Sequence, residues 1–80
     1  MPVVFREGPY RFYFYSHEPN EPLHIHVDKD NLSAKFWLSP VFLARNIGFT
    51  PGELRKIARI IEKNIENIKE VWNGYFGVGS

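Results

Sequence analysis

Three side chains at alternate positions, His24, His26 and Asp28, are able to take up or release protons or to ligate a metal. Alternation is the period of a β-strand, where residues i, i+2 and i+4 project from one face. His24, His26 and Asp28 therefore share one face of a strand over residues 23–28, and Leu23, Ile25 and Val27 share the other. Three chemistries fit this arrangement. The first is metal binding, in which two imidazoles face zinc or iron and Asp28 or His17 completes the set. At strand rise, however, His24 and Asp28 stand roughly 13 Å apart, too far to share one ion on a straight strand; no metal site and no cofactor is assigned. The second is general acid and base catalysis on a phosphodiester, with His24 and His26 as the catalytic pair and Lys35 and Arg11 holding the charged phosphorane. The third is binding alone, with Tyr13, Tyr15 and Trp37 as stacking platforms and Arg11 and Lys35 on phosphates.

A sheet must position these groups. Residues 10–16, 23–28 and 33–38 alternate as strands do, and a short opening strand is expected over residues 3–6. Residues 41–44 suit a further short strand or a single helical turn. Glu18-Pro19-Asn20-Glu21-Pro22 and Asp28-Lys29-Asp30-Asn31 supply turns, because proline fixes its own φ and Asn and Asp tolerate turn conformations. Beyond Gly48 the pattern becomes helical. Thr50-Pro51-Gly52-Glu53 reads as an N-cap, a proline at the first helical position and an acid three residues past the cap, the elements of a capping box. Leu54, Ile57, Ala58, Ile61, Ile65, Ile68 and Trp72 then recur at three- and four-residue steps, so one helix is expected until Gly74 or Gly77 ends it. Such a rod, about 33 Å long at 1.5 Å per residue, buries its stripe only against the sheet. The expected fold is α+β: an antiparallel meander of three to five strands packed on one long C-terminal α-helix, in two layers. The chain reads as a single domain over 1–80, with the sheet in 1–49 and the helix in 50–76.

This architecture divides the residues between two faces. With Phe12, Phe14, Ile25, Val27, Ala34, Phe36 and Leu38 turned to the helix, the open face collects Arg11, Tyr13, Tyr15, His17, His24, His26, Asp28, Lys35 and Trp37. Solvent faces of sheets are ordinarily rich in Thr, Lys, Glu and Ser, so rings and imidazoles there point to a visitor or a cover. Cross-strand aromatic pairs that only stabilise the sheet are the plainer explanation.

Composition narrows the function classes. The 80 residues contain no cysteine and seven Phe, four Tyr and two Trp, so packing of rings, not disulfides or thiolate zinc, must hold the fold. The net charge of +1 excludes a global basic field for nucleic acid, leaving only local electrostatic signals. No apolar run is long enough for a membrane helix, and a cytoplasmic location with no membrane partner is expected. On the helix Arg55, Arg59 and Lys63 stack at four-residue steps ahead of Glu62, Glu66 and Glu70, the reverse of what the helix dipole favours. They form either a solvated face or a basic strip for a phosphate backbone or an acidic partner. Tyr75 and Phe76 either close the core or contribute to a dimer or partner interface.

Met1-Pro2-Val3-Val4-Phe5-Arg6, Tyr10-Arg11-Phe12-Tyr13-Phe14-Tyr15-Ser16, Glu21-Pro22-Leu23-His24-Ile25-His26-Val27, Ala34-Lys35-Phe36-Trp37-Leu38, Asn46-Ile47-Gly48-Phe49 and Trp72-Asn73-Gly74-Tyr75-Phe76 together resemble the small bacterial family called domain of unknown function 4160. The resemblance spans essentially the whole chain, with Leu23 standing where many relatives have a second proline or a direct Pro-His junction. It implies the toxin-like half of a toxin-antitoxin pair, encoded beside a second small protein, with His24 and His26 as the hallmark of the motif. The function expected is a toxin-like component that acts on RNA, as a metal-free ribonuclease using the histidine pair. The alternative is a non-catalytic binding module whose aromatic, histidine-bearing face docks a partner protein or nucleic acid. The expected partners are a small antitoxin-like protein, RNA and a second copy of the chain.

Overall fold

Turn chemistry separates the strands. Gly8, at φ +57°, joins β1 (Val3–Glu7) to β2 (Tyr10–Tyr13), and Asp30, at φ +54°, joins β3 (His24–Lys29) to β4 (Leu32–Leu38). Both conformations lie in the left-handed region that Gly and Asp occupy at low cost. Ser39 and Pro40 connect β4 to β5 (Val41–Ile47). The strands pair antiparallel in sequence order, β1-β2-β3-β4-β5, as an open meander. The computed structural model describes residues 3–15 and 21–77. Ser16 and His17, expected at the end of the second strand and on the open face, lie outside the described residues.

The chain leaves β5 through Gly48, at φ +96°, where a Cβ would stand 2.5 Å from Leu32 Cδ2. Only glycine meets both demands. Asn46 then braces the bend: its side chain donates to the Phe49 carbonyl and accepts from the Phe49 amide. Thr50 caps α1 (Pro51–Lys63), its hydroxyl accepting from the Glu53 amide at 3.2 Å. The Glu53 carboxylate does not complete the capping box and reaches the sheet instead. It accepts from Lys29 Nζ at 2.7 Å and Tyr10 Oη at 3.0 Å, tying β2 and β3 to the first helical turn. The Lys29 bond holds the Glu53 carboxyl below its ordinary range, while burial and the bond to Glu53 raise the Tyr10 phenol.

The sequence predicts one helix; the structure has two. Asn64 interrupts the run between α1 and α2 (Ile65–Phe76) with φ −108° and ψ 13°. Its side-chain amide donates back to the Ile60 carbonyl, and its backbone amide is shared between Ile60 and Ile61. An asparagine that bonds to the preceding turn competes with the regular helical bond, and so interrupts the run without a proline or glycine. Gly77 ends α2 at φ +69°.

The core lies between the helices and one face of the sheet. Phe12, Phe14, Ile25, Val27, Ala34, Phe36 and Leu38 meet Ile57, Ile61, Ile68 and Trp72, with Phe49 closing the end near the linker. Each fully buried large side chain contributes about 1.5–3 kcal/mol before conformational entropy is charged against it. The alternation of strands 2, 3 and 4 thus divides core from open face as their sequences require. β5 departs from expectation, being a seven-residue strand and not a short element over 41–44. Its pairing slips by one residue, Lys35 opposing Arg45 and Phe36 opposing Leu43, so Ala44 is a bulge. Among the described residues no helix is long and apolar enough to cross a membrane.

Candidate functional site

The registers lay out the face turned away from the helices. Arg11, Asp28 and Ser33 form one row across β2, β3 and β4, Tyr13, His26, Lys35 and Arg45 the next, and His24, Trp37 and Phe42 the last. The residues expected together by alternation are therefore neighbours. Their accessibility is the correction: His24 is 0% exposed, His26 4% and Tyr13 3%, so the middle of the open face is closed.

Rings do the closing. The Tyr13 ring stacks on the His26 ring at 5.3 Å between centroids, and Tyr15 meets the same imidazole edge-on at 4.5 Å. His24 lies 5.1 Å from His26, 5.9 Å from Trp37 and 5.1 Å from Trp72 of α2. Trp72, which belongs to the apolar stripe, thus also seals His24 at the end of the sheet. His24 Nδ1 donates to the Pro22 carbonyl at 2.9 Å, which fixes the ring's orientation and places the proton on that nitrogen in the neutral form.

Asp28 is committed as well. It accepts from Tyr13 Oη at 3.0 Å and from Arg11 Nη2 at 3.2 Å, and the Arg11 guanidinium lies 5.0 Å from the Tyr13 ring centroid. Burial first, then the hydrogen bonds with Tyr15 and Asp28, push the Tyr13 phenol far above its usual value. Tyr13 is thereby a wall of the sheet with no free ring face for a base. Among the described residues no three His, Asp or Glu side chains stand close enough to hold a metal ion.

The β4–β5 side is different. A cavity of about 320 Å³ is lined by Tyr15, Glu21, His26, Lys35, Trp37 and Arg45. The Lys35 ammonium sits 4.6 Å from the Trp37 ring centroid and is bonded to the Glu21 carboxylate. Arg45 is exposed and has no carboxylate partner among the described residues. A second cavity, of about 260 Å³ and mostly apolar, lies on the other side of Trp37 between Pro22, Leu23, Ser39 and Phe42. Arg55, Arg59 and Lys63 are exposed on α1, on the helical layer and away from both cavities.

Arg45, Glu21 and Phe42 were not among the sequence candidates. Arg45 lies beyond the short element read at 41–44, and Glu21 sits in a turn. The signal for Arg45 was cross-strand pairing, which needs the register of β5, while Glu21 joins the site only through the tertiary approach of its carboxylate to Lys35. On its β4–β5 side the face offers one imidazole edge, two cations of which Lys35 is already paired, and a half-buried indole between two hollows. That set can hold a ligand, but it does not bring two imidazoles to one phosphate.

A two-layer α+β domain with a five-stranded meander, two C-terminal helices and a ring-lined face is the class these features define. The chain belongs to the family described as Domain of unknown function (DUF4160), which it matches over residues 10–73. The matched span runs from the start of β2 to Asn73 and so includes every residue lining the two cavities. Comparison with the curated proteins and with the solved structures found no match.

Proposed function

We propose that this domain is a non-catalytic binding module whose ring-lined face, centred on Trp37, docks a partner protein. The observation that carries this reading is the contrast at the face itself. His24 is sealed under Trp72 and bonded to a backbone carbonyl, whereas Trp37, Phe42 and Arg45 border two hollows of about 260 and 320 Å³. A half-buried Trp with exposed Phe, Tyr and Arg around a cleft is the kind of set that protein interfaces favour. The small protein encoded beside members of this family, which the resemblance implies, is the partner to test first, with the two chains forming a toxin-antitoxin pair. Titrating that protein into the labelled domain should shift Trp37 and Phe42 resonances, and Trp37→Ala should weaken binding by about tenfold or more. Shifts confined to α1, around Arg55, Arg59 and Lys63, would move the interface to the helical layer and sink the reading.

RNA cleavage is the second reading, favoured by the shared lining of His26, Lys35 and Arg45 in one cavity. It requires His26 to act with cations in place of a second imidazole. Inducing the wild type in a host without the partner and following total RNA tests it. Cutting that disappears in His26→Ala would put catalysis ahead of docking, while intact RNA in both would remove it.

A further inference from the structure

We infer that β5 takes up an extended segment of the partner as a sixth strand, and that this segment alternates acidic and apolar residues. The inference rests on the docking reading above and names its mode. β5 is the last strand of the sheet and pairs only with β4. Among the described residues no backbone hydrogen bond outside the sheet ladders and helices involves residues 41–47. Its outer N–H and C=O groups are therefore offered to a neighbour, as in strand addition.

The two sheet edges are not alike. Each edge has one irregularity, between Val3 and Phe5 in β1 and at Ala44 in β5, but β1 has only five residues and carries two charges, Arg6 and Glu7, both features that discourage pairing. β5 has seven residues, with Phe42 53%, Leu43 38% and Ile47 55% exposed. Phe42 borders the apolar hollow with Leu23 and Trp37, and Leu43, opposite Phe36, extends the core face to this edge.

Charge selects the occupant. Arg45 is the sole charged residue of β5 and lacks a carboxylate partner among the described residues, while Lys35 opposite it in the ladder is already bonded to Glu21. β5 carries no carboxylate, so a second copy pairing strand to strand brings no acid from β5 to Arg45 in any register. A strand with acids at alternate positions supplies one to Arg45 on the face away from the helices and turns its apolar side chains to the other face, beside Val41 and Leu43.

The test uses short alternating Val-Glu and Val-Lys peptides, blocked at both ends, titrated into the labelled full chain. The Val-Glu peptide should shift amides of residues 41–47 and slow their exchange, the Val-Lys peptide should bind about tenfold or more weakly, and Arg45→Glu should reverse the order. N-methylation of alternate Val-Glu amides should abolish binding, because it removes the ladder donors and leaves the side chains unchanged. Equal binding of the methylated peptide, or of both charge types, overturns the inference. So does a dimer in sedimentation that Arg45→Glu does not weaken, which would make the occupant a second copy. Should the neighbouring protein shift Trp37 but not residues 41–47, strand addition fails and docking at the face survives. Should the peptide pair with β5 and that protein not bind, strand addition survives and the docking reading fails.

Discussion

The side of the sheet away from the helices changes character between its β2–β3 half and its β4–β5 half. Around Asp28 every polar group named in the site answers another: Arg11 and Tyr13 share the carboxylate, Tyr13 covers His26, and His24 is bonded to Pro22 beneath Trp72. Around Arg45 the side is more open, with a guanidinium lacking an acid among the described residues, the exposed side chains of Phe42 and Ile47 and a hollow on each side of Trp37. Histidines and aspartate, the residue types most often associated with catalysis, fall in the closed half. On the docking reading proposed above, satisfaction of hydrogen bonds is therefore a better guide to the site than residue type. On that reading a buried imidazole whose donor is used serves the fold, and an exposed arginine with no acid among the described residues serves the ligand.

The contrast breaks most visibly at Trp72. Trp72→Ala removes contacts to Phe14, Phe76 and His24 together, and should cost about 3–5 kcal/mol in chemical denaturation. Exposure of the His24 imidazole, read by its proton exchange in NMR, should accompany it. Retention of full stability would mean that the seal over His24 is not structural.

A smaller loss is expected at His24 itself. His24→Ala removes a fully buried ring together with its bond to the Pro22 carbonyl and should destabilise by about 1–3 kcal/mol. If the variant is as stable as the wild type, the imidazole is held for function and not for the fold, and the comparison between the two halves collapses.

The fold was largely legible because its signals are local. Alternation placed Phe12, Ile25, Val27, Ala34 and Phe36 in the core, and Thr50 with Pro51 located the start of the first helix. What was not legible depends on tertiary reach. Nothing near His24 in sequence announces that Trp72 arrives from the far end of the chain to cover it. β5 was read as too short because Val41, Phe42, Leu43 and Ala44 are apolar in succession, and the bulge at Ala44 breaks the period of two. Arg45, placed beyond that run, was lost to the site for the same reason. The break at Asn64 was missed since the apolar stripe continues through it, and the competing bond is made by a side chain.

The Tyr13 hydroxyl sharpens the comparison through pH. Its phenol is raised above the ordinary tyrosine value by burial and by bonds with Tyr15 and Asp28. A group whose pKa is higher in the fold contributes stability that is complete below its unfolded value, near 10, and is lost as pH rises through the folded value. Tyr13→Phe should therefore cost about 1 kcal/mol at neutral pH. The gap between variant and wild type should narrow in alkaline solution above the ordinary tyrosine range. Glu53 has the opposite sign. Held low by Lys29, it contributes stability that is complete above the ordinary carboxylate range and fades as acid carries the pH through its depressed value. A gap that stays constant into alkali would show that Tyr13 is not closing the Asp28 half through its hydroxyl.

The smallest effect on stability is expected in the open half, and it is the most informative. Phe42 is 53% exposed and Ile47 55%, so replacing either with serine removes little buried area. Phe42→Ser and Ile47→Ser should each change unfolding free energy by no more than about 0.5 kcal/mol. Substitutions of this kind on a free edge also lower its tendency to pair, so both variants should be at least as soluble as the wild type. Loss of partner binding at unchanged stability would separate the two halves cleanly: His24 and Tyr13 maintain the sheet, and β5 meets the ligand. A loss of stability at Phe42 comparable with that at His24 would instead make β5 part of the core, and the distinction between satisfied and unsatisfied groups would no longer locate the binding surface.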